Sequence, residues 1–222
     1  MAVSETPSKR VRLLYEGDLG RRWRRIEDKR PATYFERNIV IGRSELCDRL
    51  LELLPEAEGC RILDAGCGLG SVASRFAEAG AQVTAVDLVP GFIEAARSRS
   101  PRPGPSFVAG DFVDSLGNQG EEVPFDVLLL TEVLEDYETA ERYQLLRRIA
   151  ASGVPWFYLA FRTVGDEGSM LWERLSGSDT GGIREIDLLR WIHLGTPFRQ
   201  TRQVKVHVRN YRVHVSEFKR DG

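Results

Sequence analysis

Short apolar runs alternate with stretches of helical periodicity through the middle of the chain. The runs at 61–64, 82–86, 106–109, 125–130 and 156–161 are bounded by Gly, Pro or Asp, a pattern that predicts strands. Helical text lies at 71–79, 90–100 and 137–151, and Pro90 suits the first turn of its helix. Strands alternating with helices predict an α/β fold with a doubly wound, mostly parallel sheet. Two period-2 segments, 203–208 and 211–218, flank Arg209 and Asn210 and predict an antiparallel C-terminal ribbon at the sheet edge, for seven strands in all. Upstream, Ile39, Val40, Cys47, Leu50, Leu51 and Leu54 predict a helix over 39–54, ended by Pro55. Residues 11–31 are basic and amphipathic, with Leu14, Tyr15 and Trp23 as apolar anchors, and predict an N-terminal helical arm; residues 1–10 are polar and frayed.

This pattern divides the chain into an arm or lid over 1–55 and a main domain over 56–222. An insertion at about 163–197 carries Trp172, Trp191 and a glycine-rich break at 177–182. The loop PRPGP at 101–105 is stiff, and 117–120 is looser.

Composition changes this picture little. At 222 residues the chain can bury a sizeable core as one large domain. A net charge of −2 argues against nucleic acid as an obligate partner. The charge is uneven: residues 1–30 hold nine Lys/Arg against five Asp/Glu, and 199–222 hold seven against two. Both ends are open to an acidic substrate or weak peripheral membrane association, with solvated terminal charge as the simpler reading. Cys47, Cys60 and Cys67 make neither a disulfide framework nor a metal site, and Cys67 fits as a small residue in a tight turn. The start MAVSETPSKRVRLL has no apolar core of a leader, and no run approaches the 18 apolar residues of a membrane span, so the expectation is cytoplasmic.

The chemistry concentrates in RILDAGCGLGSVASRF at 61–76. A strand ending in an acid leads through Gly66, Cys67, Gly68, Leu69 and Gly70 into a helix. Glycine there lets a ligand approach the backbone and permits positive φ. A dinucleotide fingerprint would place its third glycine one residue later, and no Lys-Ser/Thr follows to make a phosphate loop. The acid decides between ligands. Asp64 would repel a pyrophosphate but would gain a charge-assisted partner from an ammonium group. S-adenosylmethionine carries an ammonium and a sulfonium and no phosphate. Asp87, ending the second strand, suits the ribose hydroxyls, with Leu88 beside it. Gly110, Asp111 and Phe112 follow the third strand, where Asp111 could reach the adenine amino group. Thr131 ends the fourth. Carboxylates at three neighbouring strand tips form one site at the carboxyl edge of the sheet.

LDAGCGLG, VTAVD, GDF and FDVLLLTEVLEDY together resemble the class I S-adenosylmethionine-dependent methyltransferases over about 60–165. The stretches Tyr15-Glu16-Gly17-Asp18, Arg22-Trp23-Arg24-Arg25-Ile26, Gly42-Arg43 and Tyr211 to Ser216-Glu217-Phe218 are similar to the magnesium-protoporphyrin O-methyltransferase family. Where that family has His-Tyr after the fourth strand, this chain has Asp136-Tyr137. The resemblance implies S-adenosylmethionine as cofactor and esterification of a propionate of a magnesium porphyrin, the small-molecule acceptor. It also implies an arm closing over a flat substrate and admits a partner enzyme of tetrapyrrole synthesis. Trp23, Tyr34, Phe35, Trp172 and Trp191 would stack on such a macrocycle, and Arg24, Arg25 or Arg43 would bind propionates. Tyr15, Asp136 and Tyr137 are the candidate catalytic groups.

Methyl transfer from a sulfonium is an in-line displacement, so alignment and exclusion of water matter most. A carboxylate acceptor is already ionised and needs no base; a phenol must lose a proton. No histidine falls near the fourth strand, and His193, His207 and His214 all lie late, which is compatible with a carboxylate acceptor. A methyltransferase for another small natural product or quinone-like phenol is the alternative enzyme. A non-catalytic S-adenosylmethionine-binding module would carry the same acids.

Overall fold

A computed structural model describes residues 6–54, 56–100, 102–117, 123–162, 185–208 and 211–221. Its strands are β1 Arg61–Ala65, β2 Gln82–Asp87, β3 Ser106–Ala109, β4 Val127–Thr131, β5 Trp156–Phe161, β6 Phe198–Val208 and β7 Tyr211–Arg220. They form one seven-stranded sheet in the order β3-β2-β1-β4-β5-β7-β6. The first five run parallel, and β7 pairs antiparallel with both β5 and β6. This is the doubly wound, mostly parallel sheet with an antiparallel ribbon that the apolar pattern predicts. Strand order reverses between β1 and β4, the crevice where open α/β sheets bind ligands.

Seven helices are described: α1 Pro7–Glu16, α2 Asp18–Glu27, α3 Tyr34–Leu53, α4 Ser71–Glu78, α5 Pro90–Arg99, α6 Thr139–Ala151 and α7 Glu185–Gly195. Side chains alternate across each strand, so the sheet feeds two apolar layers. Ile62, Val83, Ala85 and Leu129 pack with Leu46, Leu50, Phe76 and Phe92 of α3, α4 and α5. Leu63, Leu128, Leu130 and Phe157 pack on the other face with Leu145, Ile149, Leu188 and Ile192 of α6 and α7. Burial on both faces explains why the central strands read as unbroken apolar runs.

Several boundaries move for local reasons. The arm is two helices broken at Gly17, and the first begins at Pro7, inside the stretch expected to be frayed, because Thr6 caps it and Pro7 suits its first turn. Gly20 then packs so tightly on the Tyr15 carbonyl that a Cβ would lie 1.7 Å from its oxygen. α3 begins at Tyr34, five residues before the expected start, because the Thr33 side chain accepts the Glu36 amide at 3.1 Å and caps it. β4 starts at Val127 because Asp126 turns to accept the Arg61 amide and guanidinium. α6 starts at Thr139, with Glu138 and Glu141 forming a capping box. The ribbon is longer than predicted and carries an irregularity between Gln200 and Arg202.

There Arg202 bonds both the Glu217 carboxylate and the Leu53 carbonyl, and Tyr158 donates to Glu217 at 2.7 Å, fastening the end of α3 to the sheet. Desolvation of Glu217 is outweighed by hydrogen bonds from Arg202, Thr201 and Tyr158, which hold its carboxyl below the usual value. The glycine break at 177–182, Trp172, the turn at Arg209 and Asn210, Pro55 and the side chain of Phe35 lie outside the described residues. Among the described residues no helix is long and apolar enough to cross a membrane.

Candidate active site

The turn after β1 is pinned to the neighbouring strand: the Gly66 and Cys67 amides donate to the Val86 carbonyl at 2.8 and 3.0 Å. Gly66 has φ 72, and a Cβ there would lie 2.5 Å from Val133 Cγ2. Gly68 has φ 56, and its Cβ would meet the Trp23 indole nitrogen at 3.2 Å. Side chains at either position would fill the space above the turn. Gly70 stands at the N-cap of α4.

Above this turn lies a cavity. Its floor is Gly66, Cys67 and Gly68, and one wall is Asp87, Leu88, Val89, Gly110 and Phe112. The opposite wall is Thr131, Glu132, Asp136 and Tyr137 from the β4 side. The arm closes it with Val11 and Tyr15 of α1 and Trp23 of α2.

The predicted acids divide by position. Asp87 lines the cavity, and its two oxygens accept the Gly68 and Val89 amides at 2.8 and 2.9 Å. Burial pushes its carboxyl up to about 6 against the pull of those amides. Asp64 is fully buried beneath the turn and is not among the cavity-lining residues. Neither of its oxygens makes a hydrogen bond of good geometry; the Ala73 amide only comes near. Desolvation drives it up to about 7, with Arg43 opposing and Asp87 reinforcing. Asp111 is not among the cavity-lining residues: it caps the 3₁₀ turn Phe112–Leu116 through the Val113 amide at 3.0 Å and accepts the Ser8 hydroxyl of α1.

On the β4 side Tyr15 donates to Asp136 at 2.9 Å. Burial raises Asp136 to about 7, opposed by the Tyr15 hydrogen bond, and burial with the Asp136 charge raises the Tyr15 phenol well above its ordinary value. Burial likewise raises Tyr137. Thus Tyr15, Asp136 and Tyr137 come together at one end and Asp87, Leu88, Gly110 and Phe112 at the other. The histidines lie elsewhere: His214 faces Glu185 at 3.1 Å, and His207 accepts from Arg212 at 3.0 Å.

Sequence reasoning did not assign Glu132, Arg43 or Arg162 to this cluster as a unit. Glu132 follows β4 with φ 55, strained for a residue with a Cβ, and strain of this kind gathers at functional sites. Its carboxylate meets Arg43 on one side and Arg162 at 3.3 Å on the other, and Arg43 also pairs with Glu27 of α2 at 2.7 Å. The signal was the acid-rich TEVLED after the fourth strand, but no pattern ties it to an arginine 89 residues earlier. Around the cavity, buried carboxylates outnumber arginines. A glycine cradle, a cation-favouring wall and the poorly satisfied Asp64 suit a positively charged nucleoside better than a phosphate.

Residues 62–155 match the family model described as "Methyltransferase domain". Residues 62–155 are thus similar to a methyltransferase domain, and the sheet has the fold of a methyltransferase crystallised with S-adenosylmethionine. It is 33% identical over 126 residues to a magnesium-protoporphyrin O-methyltransferase of Rhodobacter capsulatus, covering 54% of this chain and 56% of that protein. It is 45% identical over 82 residues to a ubiquinone biosynthesis O-methyltransferase of Methylocella silvestris, covering 35% of this chain and 30% of that protein. The chain therefore spans about half or less of the length of these curated relatives. The crystal structure of magnesium protoporphyrin IX methyltransferase from Synechocystis PCC 6803 with bound S-adenosylmethionine matches over 100% of both chains, with a TM-score of 0.81 at 21% identity, a likeness of fold.

Proposed function

We propose that this protein transfers a methyl group from S-adenosylmethionine to an oxygen of a flat, apolar small molecule, and that the acceptor is a propionate carboxylate of a magnesium porphyrin. The observation that carries this reading is the acid-walled cavity at the strand-order reversal, closed by an arm whose Tyr15 meets Asp136. Bound there, S-adenosylmethionine supplies an electrophilic methyl whose bonding pair stays with sulfur on transfer.

Asp87 is held by two backbone amides and keeps lone pairs for the ribose hydroxyls. Leu88, Val89 and Phe112 bound an apolar slot suited to the adenine ring. Asp64, once ionised, adds its negative charge from beneath the turn to those of Glu132 and Asp136, favouring a cation. Tyr15 of the arm and Phe92 of α5 give the cavity an aromatic surface for a planar acceptor. Of the three arginines expected to meet propionates, Arg43 is engaged with Glu27 and Glu132 and Arg25 with Glu36 at 3.2 Å. Arg24 stands 5.5 Å over the Phe92 ring and beside Gly91, and is not among the cavity-lining residues.

The raised Asp136 favours a second reading as well. A carboxyl that titrates near 7 can donate to an acceptor carboxylate when protonated, or take a phenol's proton when ionised. The two acceptors then give opposite pH profiles. Purified protein with labelled S-adenosylmethionine and magnesium protoporphyrin should yield a monomethyl ester, with the rate falling as pH rises through about 7. Turnover of a catechol instead, rising with pH, would favour the phenol acceptor. Cofactor bound with no product from either would favour a binding module.

A further inference from the structure

Arg43 lies in the middle of α3, yet its guanidinium reaches two other bodies of the fold. It pairs with Glu27 of the arm helix α2 and with Glu132 beyond β4, and it stacks on the Trp23 ring 4.7 Å from the centroid. The guanidinium is 11% exposed and the two carboxylates 4% and 3%. Charges this far from water persist only when good partners offset the loss of solvation. One partner belongs to the arm and the other to the sheet. Trp23 in turn rests over Gly68, and Glu132 is fixed by the hydrogen bond its backbone N–H donates to the Ala160 carbonyl at 2.8 Å and by Arg162. The contacts Gly68–Trp23–Arg43–Glu132 run round the rim of the cavity, and all four residues line it.

We propose that Arg43 is a positioning residue that locks α2 over the bound nucleoside. By joining Glu27 to Glu132 and backing the indole of Trp23, it holds that ring against the glycine turn and sets how tightly the cofactor is retained. The proposal rests on the cavity being an S-adenosylmethionine site and is independent of the acceptor. A planar guanidinium is required, because lysine keeps the charge but offers neither a flat face nor a fork reaching two carboxylates. Linkage makes the effect reciprocal: whatever stabilises the closed arm tightens the cofactor, and cofactor binding shifts the arm's equilibrium toward the closed form by the same factor.

The test uses S-adenosylhomocysteine as probe on the full chain. Its affinity is measured by calorimetry for wild type, R43K, R43M and W23A, with amide exchange followed across 18–27 and across β1, β4 and β5. R43M and W23A should each weaken the probe by about tenfold or more and abolish the protection it gives α2, with R43K between. Exchange in the three strands should stay as in wild type. W23A strands no charge, so its agreement with R43M separates positioning from the cost of unpaired carboxylates. Binding by R43M or W23A within about twofold of wild type overturns the proposal, as does loss of strand protection in R43M, which would make Arg43 a fold residue. Failure of wild type to bind the probe overturns the reading of the cavity instead.

Discussion

The phenol of Tyr15 on α1 donates to the carboxylate of Asp136 at 2.9 Å, across 121 residues of sequence. The contact joins the arm to the loop after β4 at the end of the cavity proposed to hold the acceptor. Tyr15→Phe removes the donor and leaves Asp136 buried with one fewer partner; Asp136→Asn removes the titrating group. Each should lower turnover by about 10²-fold or more while S-adenosylhomocysteine affinity changes by only about fivefold at most. Steady-state kinetics paired with calorimetry reads both. Equal losses in affinity and turnover would assign the pair to cofactor binding.

Asp64 at about 7 and Asp87 at about 6 make cofactor affinity pH-dependent. Both lie above the ordinary carboxyl value near 4, so the native state keeps protons that the unfolded chain has released. Their contribution therefore lowers stability as pH rises from about 4 to about 7 and is flat above. A cation in the cavity favours the ionised forms, so binding S-adenosylmethionine should release protons and tighten as pH climbs through about 6 to 7. Calorimetry in two buffers of unlike ionisation enthalpy gives the proton count directly. Asp64→Asn should reduce it, and an affinity flat across this window would show that these carboxyls do not feel the ligand.

The two acids also differ in what their removal should do. Asp87 lines the cavity, and Asp87→Ala should weaken the cofactor by roughly 1.5–3 kcal/mol, the scale of a lost charge-assisted hydrogen bond. Asp64 lies below the turn, so Asp64→Asn removes a field rather than a contact and should cost less. Titration calorimetry of the two variants decides; an Asp64 effect larger than that of Asp87 would place the ammonium group directly on Asp64.

Gly68→Ala tests the closeness of arm and turn. The position has φ 56, which costs a residue with a Cβ about 1–2 kcal/mol, and the new methyl would press on Trp23. Denaturant unfolding should show that loss of stability, and cofactor binding should weaken with it. A variant as stable as wild type would mean that the turn relaxes.

What the sequence made legible was local. Strands β1 and β5 fell within a residue of their predicted bounds because Gly, Pro and Asp punctuate them and burial on both faces keeps them apolar, and the edge strand β3 did so because Pro105 and Gly110 bound it. The start of α3 was also written locally, as Thr33 three residues before Glu36, but lay outside the apolar periodicity that marked the rest of the helix. The break at Gly17 was missed because a basic amphipathic run continues on both sides of it. The site was half legible. Asp87 could be placed from its strand end, whereas the depth of Asp64 depends on how α4 and the arm cover the turn. The Arg43–Glu132 pair and the positive φ of Glu132 are products of tertiary packing, and no spacing rule encodes them.

The arm itself divides into two halves with separable effects. α1 brings Tyr15 to Asp136, Ser8 to Asp111 and Arg10 to Glu141 at 2.5 Å; α2 brings Trp23 to Gly68 and Glu27 to Arg43. α1 buries only Val11, whereas α2 buries Leu19, Gly20, Trp23 and Ile26. Deleting residues 1–16 should therefore remove little of the core, leave the Trp23 cap in place, and keep S-adenosylhomocysteine affinity within about tenfold of wild type. Acceptor turnover should vanish, because the Tyr15 side of the cavity opens to water and the acceptor loses its aromatic wall. Deleting 1–30 should in addition weaken the cofactor strongly. Calorimetry and labelled-methyl turnover on the two truncations separate these effects. Retained turnover in the shorter deletion would show that α1 is not part of the acceptor site.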